Sequence, residues 1–262
     1  MPHDDILWHA VENSDYLGVT FILHEGADIN MVNKKGESLL HEAMLGGDLR
    51  MIKLLLEEGI DVNRVCDGHT DTPLNCAADM SSVNIAEILM EHGAEINRTD
   101  GRASPLRQAI KSHEVCKKLD MVKLLVWRGA DIFECDSRGK TSLMFAAGQS
   151  NANVLHLLIA SGVDPEACDT RGNTAVHYAE RGRFEDNVDI LTKEIDNRIH
   201  IRKSSEAFAL GNQSRTGYDS LVKPLDSDVI DIILKIYQKS PKDMGTSQNL
   251  AHVPLLHWKE RS

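Results

Sequence analysis

A period of 33 to 36 residues constrains this chain more than any other feature of its sequence. The phrases Glu25-Gly26-Ala27-Asp28-Ile29-Asn30, Glu58-Gly59-Ile60-Asp61-Val62-Asn63, His92-Gly93-Ala94-Glu95-Ile96-Asn97, Arg128-Gly129-Ala130-Asp131-Ile132 and Ser161-Gly162-Val163-Asp164-Pro165 recur, their glycines 33, 34, 36 and 33 residues apart. Between them lies a second phrase. It reads Gly36-Glu37-Ser38-Leu39-Leu40-His41, Thr70-Asp71-Thr72-Pro73-Leu74-Asn75, Arg102-Ala103-Ser104-Pro105-Leu106-Arg107, Gly139-Lys140-Thr141-Ser142-Leu143-Met144 and Gly172-Asn173-Thr174-Ala175-Val176-His177. Self-similarity at this period identifies a repeat architecture, in which one unit cannot bury its own apolar face and neighbours must stack.

The residue types say what each unit contains. Ser38, Thr72, Ser104, Thr141 and Thr174 stand where a first helix begins, and a hydroxyl there accepts a hydrogen bond from an unpaired backbone N–H. Pro73 and Pro105 follow at the first helical position, where a missing N–H is harmless. Small residues such as Ala77, Ala78, Ala146 and Ala147 let a second helix approach closely, and runs such as Ile52-Lys53-Leu54-Leu55-Leu56 supply that helix. The glycine after each run ends it, because glycine tolerates the left-handed conformation past a helix C-terminus. Each unit is thus expected to be helix, turn, helix and hairpin loop.

The interlocked phrases resemble the G-x-T-P-L-H signature of the ankyrin-repeat family, over about residues 2 to 198. The expected fold is all-α: an ankyrin solenoid of six units, 2–33, 34–66, 67–98, 99–135, 136–168 and 169–198, with the first and last as caps. Residues 1–198 form this domain, 199–239 a C-terminal helical extension and 240–262 a flexible tail. From Leu106 to Gly129 the count is 23, against 19 in three other units, so the fourth unit carries about four extra residues within 111–118. Insertions of this kind are expected in loops.

The resemblance implies a non-enzymatic protein that binds another protein through hairpin tips and first helices lining a concave surface. Aligned to that pattern, the partner-binding candidates are Lys34, Lys35, Glu37, His69, Asp71, Met80, Asp100, Ser137, Arg138, Lys140, Gln149, Thr170, Arg171, Asn173 and Arg181, with Leu45 and Asp79 nearby. The tips grow more basic toward the C-terminal half, although the chain as a whole carries a net charge of −11. That charge repels a phosphate backbone, so nucleic acid is not an expected partner, whereas an acidic protein segment suits the basic tips.

The resemblance also gives His41 and His177 a structural role, hydrogen-bonding nearby backbone. Asn63 and Asn97 are similar to ankyrin asparagines modified by an oxygen-dependent asparaginyl hydroxylase, with Leu55 and Leu89 eight residues upstream; Asn30 fits less well. Stabilising the hairpin turn is the simpler role for all three.

Other function classes find little support. The longest apolar stretches fall far short of the roughly 20 residues needed to cross a bilayer, and the N-terminus lacks a signal-peptide pattern. A cytoplasmic monomer with no membrane partner is expected. No P-loop, GxSxG or HExxH motif is present, so neither catalysis nor a cofactor is expected. The cysteines Cys66, Cys76, Cys116, Cys135 and Cys168 are odd in number and form no CxxC pair, which points to a reducing compartment without structural zinc. Cys135 and Cys168 are equivalent positions in adjacent units, stacked about 10 Å apart, too far for a disulfide.

Beyond the array, Leu225, Val229, Ile232, Ile233 and Ile236 fall on one face of an amphipathic helix led by Asp226 and Asp228. The helix is expected to dock on the last repeat. It also resembles F-box-like tails behind ankyrin repeats in poxviruses and intracellular bacteria, with Asp226 in place of the usual proline. That resemblance implies an alternative: a substrate-recognition adaptor, as in a secreted effector working in host cytoplasm, with Leu225, Val229, Ile233 and Ile236 meeting a Skp1-type subunit of a ubiquitin ligase.

Overall fold

The computed structural model describes residues 2–34, 36–65, 71–98, 103–112 and 115–209. Among these residues the helices come in pairs: α1 (Pro2–Glu12) with α2 (Tyr16–His24), α3 (Leu39–Leu45) with α4 (Leu49–Glu57), and α5 (Pro73–Asp79) with α6 (Val83–Glu91). Then follow α7 (Pro105–Lys111) with α8 (Val115–Trp127), α9 (Ser142–Ala147) with α10 (Ala152–Ala160), and α11 (Ala175–Gly182) with α12 (Glu185–Ala209). The described residues contain no strand, only two isolated antiparallel bridges, Val32 with Ser38 and Cys135 with Thr141, which close two of the hairpins.

Three of the expected caps form as the sequence implies. Thr72 Oγ1 accepts the Asn75 N–H at 3.2 Å, Ser104 Oγ accepts that of Arg107 at 3.1 Å, and Thr141 Oγ1 accepts that of Met144 at 3.3 Å. The other two differ. Ser38 Oγ instead pairs with His41 Nδ1 at 2.8 Å, and Thr174 donates its own backbone N–H to His177 Nδ1 at 3.1 Å. A histidine at the third helical position reaches back to the cap residue, as glutamate does in a capping box.

Gly26, Gly59, Gly93, Gly129 and Gly162 all have φ between 89° and 97°, past the ends of the second helices, the conformation that explains their recurrence. The turns between paired helices use the left-handed conformation too, at Ser14, Gly47, Ser81 and Arg183, with φ of 55°, 66°, 50° and 60°.

First helices stack on first helices, and from α6 onward second helices stack on second helices, around one continuous core. The first-helix layer buries Ala43, Ala77, Ala78, Ala109, Ala146, Ala147, Ala175 and Ala179, while the second buries bulkier Ile52, Leu55, Leu89, Val122, Leu125, Leu155 and Leu158. Small residues on the first helices allow neighbouring helices to approach closely.

The insertion corrects an expectation. It does not make a loop: α8 has 13 residues, against nine in each of α4, α6 and α10, so the four extra residues add about one helical turn. Lys118, on that added turn, is buried and donates from Nζ to Gln149 Oε1 at 2.8 Å, tying the turn to the next repeat. At the other end of the array α12 runs unbroken through residue 198. Its Asn187 Nδ2 donates to the Ala147 and Gln149 carbonyls at 3.0 and 2.7 Å, and its Leu191 is fully buried.

Candidate functional site

The hairpin tips are built on a polar residue that folds the chain back on itself. Asp136 Oδ1 accepts the N–H groups of Arg138 and Lys140 at 2.8 and 2.9 Å, and Asp169 Oδ1 accepts those of Arg171 and Asn173 at 2.9 and 2.8 Å. Asn33 does the same at an earlier tip, its Oδ1 accepting the Glu37 N–H at 3.0 Å while its Nδ2 donates to Glu37 Oε2. Side chains of this kind nucleate turns because they reproduce a backbone hydrogen bond. Neighbouring tips are also joined: the Thr170 N–H donates to the Arg138 carbonyl at 2.9 Å. Gly139 lies at this join, where an added Cβ would come within 3.4 Å of the Thr170 nitrogen.

The face formed by the first helices and hairpin tips changes character along the stack. In its first half Glu42, Asp71 and Met80 are half-buried, Asp79 is exposed, and Leu45 is 67% exposed. Gln108 Nε2 donates to Asp79 Oδ1 at 2.9 Å. In the second half Lys140 Nζ lies 4.1 Å from the ring centres of both Phe145 and Tyr178. Lys111 Nζ lies 4.9 Å from the Phe145 ring, and the Arg181 guanidinium 5.7 Å from the Tyr178 ring. These are cation–π distances. Beside them a cleft of about 610 Å³ is lined by residues including Arg107, Lys111, Glu134, Cys135, Asp136 and Phe145.

The carboxylates of this half are already engaged. The Tyr178 hydroxyl donates to Asp169 Oδ2 at 2.7 Å and Asn173 Nδ2 to both carboxyl oxygens, which together hold the Asp169 carboxyl well below the usual range. The same Asp169 bond raises the Tyr178 phenol. Burial pushes the Glu134 carboxyl up, opposed by the Ser104 hydroxyl that donates to it and by the Arg107 guanidinium 3.9 Å away. Burial lowers the Lys140 ammonium, with Lys111 and Arg181 acting in the same direction against Asp136 and Asp169.

Of the sequence-derived residues, Ser137, Arg138, Thr170 and Arg171 lie exposed on adjoining tips with half-buried Lys140 and Asn173 between them, and Arg181 projects from α11 beside Tyr178. Lys34 is exposed, and Glu37 is tied to Asn33. Gln149 belongs to the Lys118 contact. Lys35, His69 and Asp100 lie outside the described residues, as do Leu225, Val229, Ile233 and Ile236.

Alignment alone missed Lys111, Phe145 and Tyr178. The position four residues past each cap reads Glu42, Cys76, Gln108, Phe145 and Tyr178, and seven past reads Leu45, Asp79, Lys111, Gly148 and Arg181. The switch to aromatic and basic residues was readable there, but the insertion next to Lys111 obscured its register.

The asparagines join successive repeats. Asn30 Oδ1 accepts the Asp61 N–H at 2.9 Å. Asn63 Oδ1 accepts that of Glu95 at 2.9 Å while its Nδ2 donates to the Gly93 carbonyl at 3.1 Å. Asn97 repeats the pattern with Asp131 at 2.8 Å and Gly129 at 3.1 Å. The sequence suggested a role within one turn; the structure shows bonds between units. Cys76, Cys135 and Cys168 form no disulfide. No described helix is long and apolar enough to cross a membrane.

A family model for ankyrin repeats, in three copies, matches residues 7–100 and 106–202. Over 150 residues, 57% of this chain and 34% of the other, it is 31% identical to the ankyrin repeat protein FPV034 of Fowlpox virus (strain NVSL). Over 142 residues, 50% of this chain, it is 32% identical to Rabankyrin-5 of Mus musculus, covering 12% of that protein. The chain therefore spans about a third or less of the length of these relatives. Among solved structures, an ankyrin repeat domain from Acinetobacter baumannii AYE is similar in fold, with a TM-score of 0.61 and 23% identity over 72% of this chain and 96% of that one.

Proposed function

Because this chain belongs to the ankyrin-repeat family, we propose that it is a non-enzymatic scaffold that grips a partner protein in its concave face. Ankyrin repeats form a protein–protein interaction domain, and what remains is the face and the residues used. The observation that carries the reading is the tip lattice of the second half. Asp136, Asp169 and the Thr170–Arg138 bond hold those backbones in place, while Ser137, Arg138, Thr170, Arg171 and Arg181 stay exposed. A backbone already held in place has little further conformational entropy to lose on binding.

Photo-crosslinking tests this reading. A photoreactive residue placed at Arg138, Arg171 or Arg181 on the concave side is expected to capture a partner in cell extract, whereas one at Lys53 or His156, exposed on second helices, is not. Capture confined to Lys53 and His156 would overturn it.

A further inference from the structure

The proposed concave binding face leaves the partner's chemistry open, and the charge pattern narrows it. Lys111 on α7, Lys140 on the tip before α9 and Arg181 on α11 belong to three successive repeats. Among the described residues none of the three has a carboxylate within 4 Å; their near partners are the rings of Phe145 and Tyr178. The acids around them are spoken for within the fold: Asp136 by two backbone N–H groups, Asp169 by Tyr178 and Asn173, Glu134 by Ser104 and Arg107. The result is a row of cations stacked on aromatic faces, set in a chain of net charge −11.

We infer that the second half of the groove, centred on Lys111, Lys140 and Arg181, receives an extended acidic peptide segment of the partner protein, with carboxylates about three residues apart. Stacked helices lie about 8–10 Å apart, and an extended chain of the polyproline II type advances about 3.1 Å per residue with three residues per turn, so every third side chain faces the groove at a new repeat. The inference rests on the concave-face reading above. The acids Glu42, Asp71 and Asp79 in the first half repel the same segment and confine it to the second half. A nucleic acid strand would need a continuous basic track, which the surrounding acidic surface interrupts.

Fluorescence anisotropy on the full chain at low ionic strength tests this. The probe is a labelled peptide of about twelve residues with aspartate at every third position and glycine or serine between, long enough to cross three repeats. The expected result is binding that weakens with added salt and falls roughly tenfold in the K111Q/R181Q double variant. The K53Q/K117Q variant removes the same charge from exposed second-helix positions and should bind within about twofold of the parent, as distant surface charges are screened. Circular dichroism of each variant confirms the fold.

The inference is overturned if an asparagine version of the peptide binds equally well, or if K53Q/K117Q loses as much as K111Q/R181Q. It is also overturned if the aspartate peptide does not bind, or if an oligothymidylate of the same length binds more tightly. An unbound peptide together with crosslinks from Arg138 and Arg171 would remove the acidic chemistry but keep the concave face. Crosslinks confined to Lys53 and His156 would remove the face itself.

Discussion

The first three repeats and the last three share a period but are stitched together at different places. In the first half the joins lie at the base of the hairpins, where Asn30, Asn63 and Asn97 each bond the next repeat's backbone. The equivalent positions in the second half are Phe133, which is 65% exposed, and Glu166, which makes no such backbone bond but pairs with Arg202 of α12 at 3.5 Å. There a join also lies at the tips, where the Thr170 N–H bonds the Arg138 carbonyl, while Asp169 gathers Tyr178, Asn173 and Arg171 within its own hairpin. A stack needs neighbouring units tied together, but the tie can sit at either end of the hairpin. Where it sits at the tip, the tip is held rigid, and rigid exposed residues suit recognition.

The largest expected effect tests what both halves share. Leu125 is fully buried in the continuous core, and Leu125→Ala should cost about 2–5 kcal/mol in a urea titration followed by circular dichroism. A loss below about 1 kcal/mol would mean that the core relaxes far more than stacked repeats should. Next comes the asparagine join. Asn63→Ala removes two bonds and should cost about 1–3 kcal/mol, whereas Glu166→Ala at the same register removes only an exposed ion pair with Arg202 and should stay within about 0.5 kcal/mol. Equal losses in the two variants would erase the contrast between the halves.

The converse change sharpens it. Phe133→Asn puts the missing join into the fourth repeat and removes an exposed ring, for an expected gain of about 0.5–1 kcal/mol in thermal or urea unfolding. No gain would show that the fifth repeat's backbone is not placed to receive it. The smallest effect is a pH dependence confined to the second half. The Asp169 carboxyl is held below its ordinary value, chiefly by the Tyr178 hydroxyl and Asn173, so its contribution is present above the unfolded pKa of about 3.9. That contribution is lost as pH falls through the lower folded value. Tyr178→Phe should weaken it, bringing the parent and variant urea midpoints together as pH falls from about 4 toward the lower folded value. A constant gap between the two midpoints across that range would sink the assignment.

Much of this was legible because the repeat displays the same environment five times. Thr72, Ser104 and Thr141 cap as hydroxyls at helix starts should, and the recurring glycines take the left-handed turn that their position demands. Ser38 departed because His41 competes for the cap, whereas Thr174 forms a capping box with His177, a difference that a cap motif alone does not resolve. The exposed basic tips Arg138 and Arg171 were likewise readable from register. Lys111 was not, because an insertion of uncertain position shifts the register at that point.

The amino-acid order alone determined the unit, its caps and its stops, and therefore the stack, since each of these depends on neighbours a few residues apart. The Lys118 contact with Gln149, the asparagine joins and the Lys111–Phe145 and Lys140–Tyr178 contacts connect residues about 30 or more apart. Which side chains meet across that span depends on how the units pack and curve, and no periodicity within one unit encodes it.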